Sequence, residues 1–290
     1  MTEVAADADG GDVWDQRVSG ALAFLRERLT GEYDVDEFGF DQHLSEGMFL
    51  PLLRPLYRSW FRIEVSGAAH LPRDGAALVV ANHSGPIAVD AVMLAVAVHE
   101  ETPHQRFLRL LGADLVFRLP VVSEVARKSG GTLACNPDAE RLLASGELVG
   151  VFPEGFKGTG KPFSERYRLQ RFGRGGFVSA ALRTGTPIIP ASIVGAEEAY
   201  PMIGNITPLA RLLGAPYFPI TPTFPWLGPL GLVPLPSKWL IEFGKPISTE
   251  GMADSADDPM VVFNLADEVR ETIQQTLYRL LERRPDAFSN

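Results

Sequence analysis

Short apolar runs alternate with longer stretches of helical periodicity along most of the chain. Ala76 to Ala81, Leu148 to Phe152, Pro187 to Val194 and Lys238 to Phe243 read as buried strands, and Gly112 to Phe117 predicts a further one. Between them, Asp90 to Glu100, Ser123 to Ser129, Asp138 to Ser145 and Gly176 to Thr184 have the composition of helices, the third introduced by Asn136 or Asp138 as a cap. Val261 to Arg284 predicts a long closing helix in which Leu265, Val269, Ile273, Leu277 and Leu281 recur every four residues. Strands alternating with helices predict an α/β fold, a largely parallel twisted sheet covered by helices.

The amino-terminal part has a different texture. Residues 1–13 are small, acidic and nearly devoid of large apolar groups, so they are expected to be a disordered tail. Asp15 to Thr30 and Leu44 to Phe61 predict helices. In the second, Met48, Phe49, Leu52, Leu53, Leu56, Tyr57, Trp60 and Phe61 are interleaved with Arg54, Arg58 and Arg62. That pattern suits an amphipathic helix lying in a membrane interface, and equally a helix packed on the core with a basic outer face. Pro51 and Pro55 complicate a regular helix in either case. The expected organisation is therefore one domain over 14–290, with a helical segment over 14–62 and the α/β core over 63–290.

No apolar stretch is long enough to span a bilayer as a helix, because Asp90 interrupts Ile87 to Val98 and prolines punctuate Leu212 to Leu235. Leu209 to Trp239 mixes seven prolines with Tyr217, Phe218, Phe224, Trp226 and many leucines; it can line an apolar groove, rest on a membrane or cover the core. A net charge of −9 disfavours nucleic acid as a partner. One segregated basic patch runs against that balance: Lys157, Lys161, Arg166, Arg168, Arg171 and Arg174 stand against Glu165 alone, which suits a small phosphorylated ligand. The start of the chain lacks the pattern of a secretory signal and the single Cys135 has no partner for an internal disulfide, so a cytoplasmic protein, or one on the cytoplasmic face of a membrane, is expected.

Two segments about seventy positions apart carry the candidate chemistry: Asn82-His83-Ser84-Gly85 with Asp90, and Val151-Phe152-Pro153-Glu154-Gly155. Each follows a predicted strand, at the carboxyl edge where open α/β sheets bind ligands. A histidine beside a carboxylate can act as a general base, and a glycine-containing turn bearing a glutamate can hold a polar substrate against it. Expected ligands of substrate are Asn82, Ser84, Gly131, Phe152, Pro153, Glu154, Gly155, Lys157, Lys161 and Arg166. No metal is expected, since His83 and Asp90 lack further ligands at familiar spacing. His43, His70, His99, His104 and Cys135 have no motif context and read as structural or surface residues.

These segments, with Gly130-Gly131 and Ile188-Ile189-Pro190, occur in the order of the four motifs of the glycerolipid acyltransferases, and the chain resembles that family from about Val65 to Pro201. The resemblance implies transfer of a fatty acyl group from a thioester of coenzyme A, or of acyl carrier protein, to a lysophospholipid or related glycerolipid at a membrane surface. No cofactor is implied. It assigns the catalytic pair to His83 and Asp90, and acceptor binding to the Pro-Glu-Gly turn. Two departures stand out. Six residues separate His83 from Asp90 where the family usually has four, and Asn136 falls where the family usually has an arginine for the acceptor phosphate; either Arg127, Lys128 or the stretch from Lys157 replaces it, or the acceptor head group differs.

The chemistry follows from the groups themselves. An alcohol attacking a thioester must lose its proton as the bond forms; His83 can accept it while Asp90 fixes the tautomer and steadies the imidazolium, together contributing about 10² to 10⁴ in rate. An acyl-thioester hydrolase would share this base but not the acceptor motifs, and a non-catalytic lipid-binding protein would not need it. The chain has no Gly-x-Ser-x-Gly elbow, which argues against a serine hydrolase.

Overall fold

The computed structural model describes residues 34–173, 175–284 and 286–288. The expected acidic tail, the expected helix over Asp15 to Thr30, and Arg174 of the basic patch lie outside them.

Nine strands and ten helices order the described chain. A helical segment over 42–60 (α1) leads to β1 (Glu64–Ser66) and β2 (Ala77–Ala81), then α2 (Val89–Glu101), β3 (Leu108–Gly112), α3 (Asp114–Arg118), α4 (Pro120–Lys128) and β4 (Thr132–Leu133). There follow α5 (Asn136–Ala144), β5 (Leu148–Val151), α6 (Phe156–Thr159), α7 (Gly176–Thr184), β6 (Ile188–Val194) and α8 (Ala196–Ala199). The chain closes with β7 (Gly204–Asn205), α9 (Thr207–Leu212), β8 (Pro219–Ile220), β9 (Leu240–Phe243) and α10 (Pro259–Arg283). β7 and β8 form a small separate hairpin, and the other seven strands make one sheet in the order β1-β9-β6-β2-β5-β3-β4. Only the β6–β9 pairing within it is antiparallel.

Both faces of the sheet are covered, which is why its central strands read as unbroken apolar runs rather than alternating ones. Val79, Ala81, Ile189 and Ile193 pack with Leu50, Tyr57 and Phe61 of the α1 side and Met93 and Leu94 of α2. Their strand neighbours Leu78, Val80, Ile188 and Val194 face the other way, onto α5, α7 and α10. Leu280 takes the core position expected of Leu281 in α10. A helix turns every 3.6 residues, so a strict spacing of four drifts off the buried stripe.

Two expectations are corrected. The strand expected over Gly112 to Phe117 lies earlier, at β3, and 114–118 is helical. Arg109 interrupts the apolar run there and hides the strand; its buried guanidinium is tolerated because Asp36 at 2.7 Å and Glu147 at 3.3 Å pair it. α5 begins at Asn136 with Cys135 in the cap position, so neither Asn136 nor Asp138 is the cap. α1 accommodates Pro51 and Pro55 by widening into π turns over Ser45–Phe49 and Leu56–Trp60, after Asp41 caps its start through the Leu44 amide at 2.8 Å. No helix among the described residues is long and apolar enough to cross a membrane.

The topology fixes where a site can form. The chain leaves β2 through α2 toward β3, while from β5 it passes through α7 to β6 on the opposite side, so the loops after these adjacent strands diverge. That is the switch point at which open α/β sheets have a crevice. Val80 pairs with Val151, which puts His83 and Glu154, each three residues on, at one level of the sheet edge.

Candidate active site

His83 and Asp90 meet. Imidazole Nδ1 lies 2.7 Å from Asp90 Oδ2, because the loop turns through Gly85 at φ +78° and delivers Asp90 in the first turn of α2. The two additional residues are absorbed in that turn. Asp90 is 1% exposed. Its Oδ2 also accepts the Ser84 amide at 2.8 Å, and its Oδ1 that of Ala91 at 2.8 Å. A carboxylate can only accept here, so Nδ1 carries the imidazole proton and Nε2 presents its lone pair. The ring rests on Phe152, centroids 4.6 Å apart, and stays partly exposed.

Glu154 is a clamp for the backbone of this loop. Its Oε1 accepts the His83 amide at 2.9 Å and its Oε2 the Gln170 amide at 2.6 Å, so both oxygens of the expected substrate ligand are engaged inside the protein. Burial raises the Glu154 pKa, opposed by Lys161 and the two amides. Lys161, expected as a phosphate contact, is likewise internal: Nζ lies 2.8 Å from Glu197 Oε1 and 4.0 Å from Glu154 Oε2, with its side chain 3% exposed. Glu197 also accepts the Tyr167 amide at 2.9 Å, and burial pushes its pKa up to about 7 against the pull of Lys161. Beyond it, Tyr167 bonds Glu198, which pairs with Arg284 at 2.7 Å. None of Gln170, Glu197 or Tyr167 stands in a motif, and only burial distinguishes Lys161 from its basic neighbours.

The other expected ligands divide. Asn82 bonds the Ile193 carbonyl at 3.0 Å and the Ile193 amide at 2.7 Å, extending the β2–β6 ladder with its side chain. Ser84 is buried with Oγ lacking a partner. Gly131 lies three strands from β2 and is not brought to the dyad; its amide bonds Ala126 O at 2.7 Å, and a Cβ there would meet that same oxygen. Asn136 packs against Gly176 of α7, and Arg166 lies on its own Phe163 ring. Arg127 stacks on Phe117 and Lys128 pairs with Glu124, both in the α3–α4 region. Pro153, Glu154 and Lys157 do line a common groove of about 530 Å³, together with Phe156, Arg171, Phe172 and Gly173. Arg171 is the cation of the basic stretch that joins Lys157 there.

Gly155 makes the turn possible. At φ +53°, ψ −141° it occupies backbone space that is essentially restricted to glycine. Gly155→Ala is expected to cost about 1–3 kcal/mol in stability and to slow turnover by displacing the Glu154 clamp; denaturant melts and steady-state rates on one preparation check both.

The arrangement can remove a proton from a hydroxyl at His83 Nε2, and Glu154, which clamps the His83 amide, also lines the groove whose two cations suit an anionic ligand. The acyltransferase family model matches residues 62–194, which contain the dyad and the Pro-Glu-Gly turn. An uncharacterized protein of Mycobacterium tuberculosis is 65% identical over 274 residues, covering 94% of this chain and 76% of its own, and one of Mycobacterium leprae is 62% identical. A human protein described as a DGAT1/2-independent enzyme synthesizing storage lipids is 26% identical over 167 residues, 57% of this chain and 50% of its own length. The crystal structure of a 1-acyl-sn-glycerophosphate (LPA) acyltransferase from Thermotoga maritima shares the fold, with a TM-score of 0.55 at 19% identity over 93% of this chain and 91% of that one.

Proposed function

We propose that this chain, which matches the acyltransferase family model over residues 62–194, is a glycerolipid acyltransferase that moves a fatty acyl group from an acyl thioester to a hydroxyl of a lysophospholipid or related glycerolipid, with His83 as general base. The thioester is that of coenzyme A or acyl carrier protein, and the protein works peripherally on the cytoplasmic face of a membrane. The observation that carries this reading is the 2.7 Å contact between His83 Nδ1 and the buried Asp90 carboxylate.

The acceptor hydroxyl gives its proton to His83 Nε2 as its oxygen bonds to the thioester carbon. The tetrahedral intermediate then expels sulfur, and the imidazolium returns the proton to the departing thiolate. Asp90 holds the proton-bearing Nδ1 and stabilises the imidazolium without itself being protonated. Lys157 and Arg171 in the groove suit a phosphate on the acceptor. Each charge-assisted hydrogen bond contributes roughly 1.5–3 kcal/mol, so Lys157→Ala is expected to raise KM for a phosphorylated acceptor about tenfold or more while kcat changes little.

Mass spectrometry of products from purified protein, given acyl-CoA and a panel of lysophospholipids, tests the reading. Acylated lipid from the parent and none from His83→Ala is expected. Free fatty acid as the sole product would instead identify a hydrolase, and no product with any donor or acceptor would overturn the assignment.

A further inference from the structure

Two stretches of this acidic chain, 47–63 and 199–241, contain no aspartate or glutamate, although the whole chain has 36 and a net charge of −9. The fold joins them. Trp60 Nε1 donates to the Pro234 carbonyl at 3.0 Å, and Arg62 donates to the Pro236 carbonyl at 3.0 Å. The combined face exposes large apolar side chains: Leu52 and Trp60 from α1, Leu212 at the end of α9, and Trp226, Leu230 and Val233 beyond β8. Leu212 is 81% exposed, Trp226 and Leu230 71% each.

This face adjoins the catalytic loop. Tyr217 Oη donates to the Pro86 carbonyl at 3.0 Å, three residues past His83, and accepts from the Thr159 hydroxyl of α6 at 2.9 Å. Tyr200, which packs beside Gly85, donates to the Leu232 carbonyl at 2.6 Å. Phe61 at the end of α1 stacks on Trp239 at the entry to β9, centroids 4.4 Å apart. Since β9 runs against β6, that contact too lies at the carboxyl edge of the parallel strands, where His83 and Glu154 emerge.

Large apolar side chains left exposed on joined segments mark an interaction site. Its charge selects the occupant. Arg58, Arg62 and Arg211 stand on or beside the face; Glu100 of α2 pairs with Arg54 and Arg58 and offsets one of these charges. An anionic surface repels the rest of a molecule carrying −9 and can approach closely only where acids are missing. Tryptophan and leucine at such a surface insert among head groups and upper acyl chains.

We propose that this acid-free apolar face docks on an anionic phospholipid bilayer and holds the His83 loop at the bilayer surface. The choice of a bilayer rests on the acyl-transfer reading, in which lipid substrates pass laterally from the bilayer to the groove.

Cosedimentation of the full chain with vesicles tests it, comparing mixed phosphatidylcholine–phosphatidylglycerol vesicles with pure phosphatidylcholine. Binding to the mixed vesicles, weaker to the neutral ones and falling with salt, is expected. Replacing both Trp226 and Leu230 with serine removes two apolar anchors and is expected to weaken binding about tenfold or more, with turnover of a water-soluble short-chain thioester and acceptor unchanged. His83→Ala is expected to bind vesicles like the parent, so a failure of the catalytic reading leaves this result standing. No binding to mixed vesicles, binding that survives the double substitution, or a dimer in solution that the double substitution dissolves would each overturn the proposal, the last by making a second copy the occupant.

Discussion

His83→Ala is expected to lower kcat for acyl transfer by roughly 10³-fold or more while leaving the fold intact, because positioned proton transfer contributes about 10² to 10⁴ and no other group in the loop offers a lone pair at that place. The imidazole is partly exposed and sits on Phe152 rather than within the core, so its loss opens little buried volume. Asp90→Asn is the finer probe. The asparagine amide can donate to Nδ1 and so favour the tautomer with its proton on Nε2, turning the base into a donor. A loss similar to that of His83→Ala is expected, since the two groups act as a unit, with a lowered melting temperature because the amide nitrogen that turns to Nδ1 faces the Ser84 N–H, which loses its acceptor. The sum of the two single effects in the double variant would contradict that unity. Kinetics of the two single variants and the double variant, with calorimetry alongside, decide it.

Lys161→Met is expected to be the most destabilising single change near the site. Removing the buried ammonium leaves Glu197 and Glu154 facing each other without their shared cation, and breaking a buried ion pair from one side costs about 3–5 kcal/mol. The pH dependence has a definite sign. Burial pushes Glu197 up to about 7 from the usual carboxylate value of 4.5, and Glu154 is raised for the same reason. Carboxyls raised on folding bind more protons in the native state, so the Glu197 contribution is fully present below about pH 4.5 and is lost as pH rises through about 7, and that of Glu154 changes in the same direction. Lys161→Met removes the group that opposes this shift. Its destabilisation relative to the parent is therefore expected to be small near pH 5, where protonation can neutralise the carboxyls, and full near pH 8. Denaturant midpoints of both proteins at the two pH values measure it; a penalty independent of pH would contradict the pairing.

The parts of this molecule visible in sequence were those whose physics is local. Ala76 to Ala81 and Leu148 to Phe152 are apolar throughout because helices cover both faces, and that register sets His83 beside Glu154. β3 escaped because Arg109, a strand residue satisfied by Asp36 and Glu147, looks like a break in the run. The dyad was readable from its residue types. Its closure was not, because it depends on the Gly85 turn and on Ser84 and Ala91 amides reaching the same carboxylate. Lys157, Lys161, Arg166 and Arg171 are equivalent as sequence. Tertiary contacts alone send Lys161 inward to Glu197, Arg166 onto Phe163, and Lys157 with Arg171 to the groove. Glu154 carries a motif, yet its role is set by two backbone amides, one of them from Gln170, sixteen residues on.

The central claim is that His83 deprotonates a lipid hydroxyl for attack on an acyl thioester. Thiol release from acyl-CoA, followed in the presence and absence of lysophospholipid with parent and His83→Ala proteins, tests it most directly. The account predicts release that depends on the lysophospholipid and disappears in the variant; release at the parent rate from His83→Ala would contradict it.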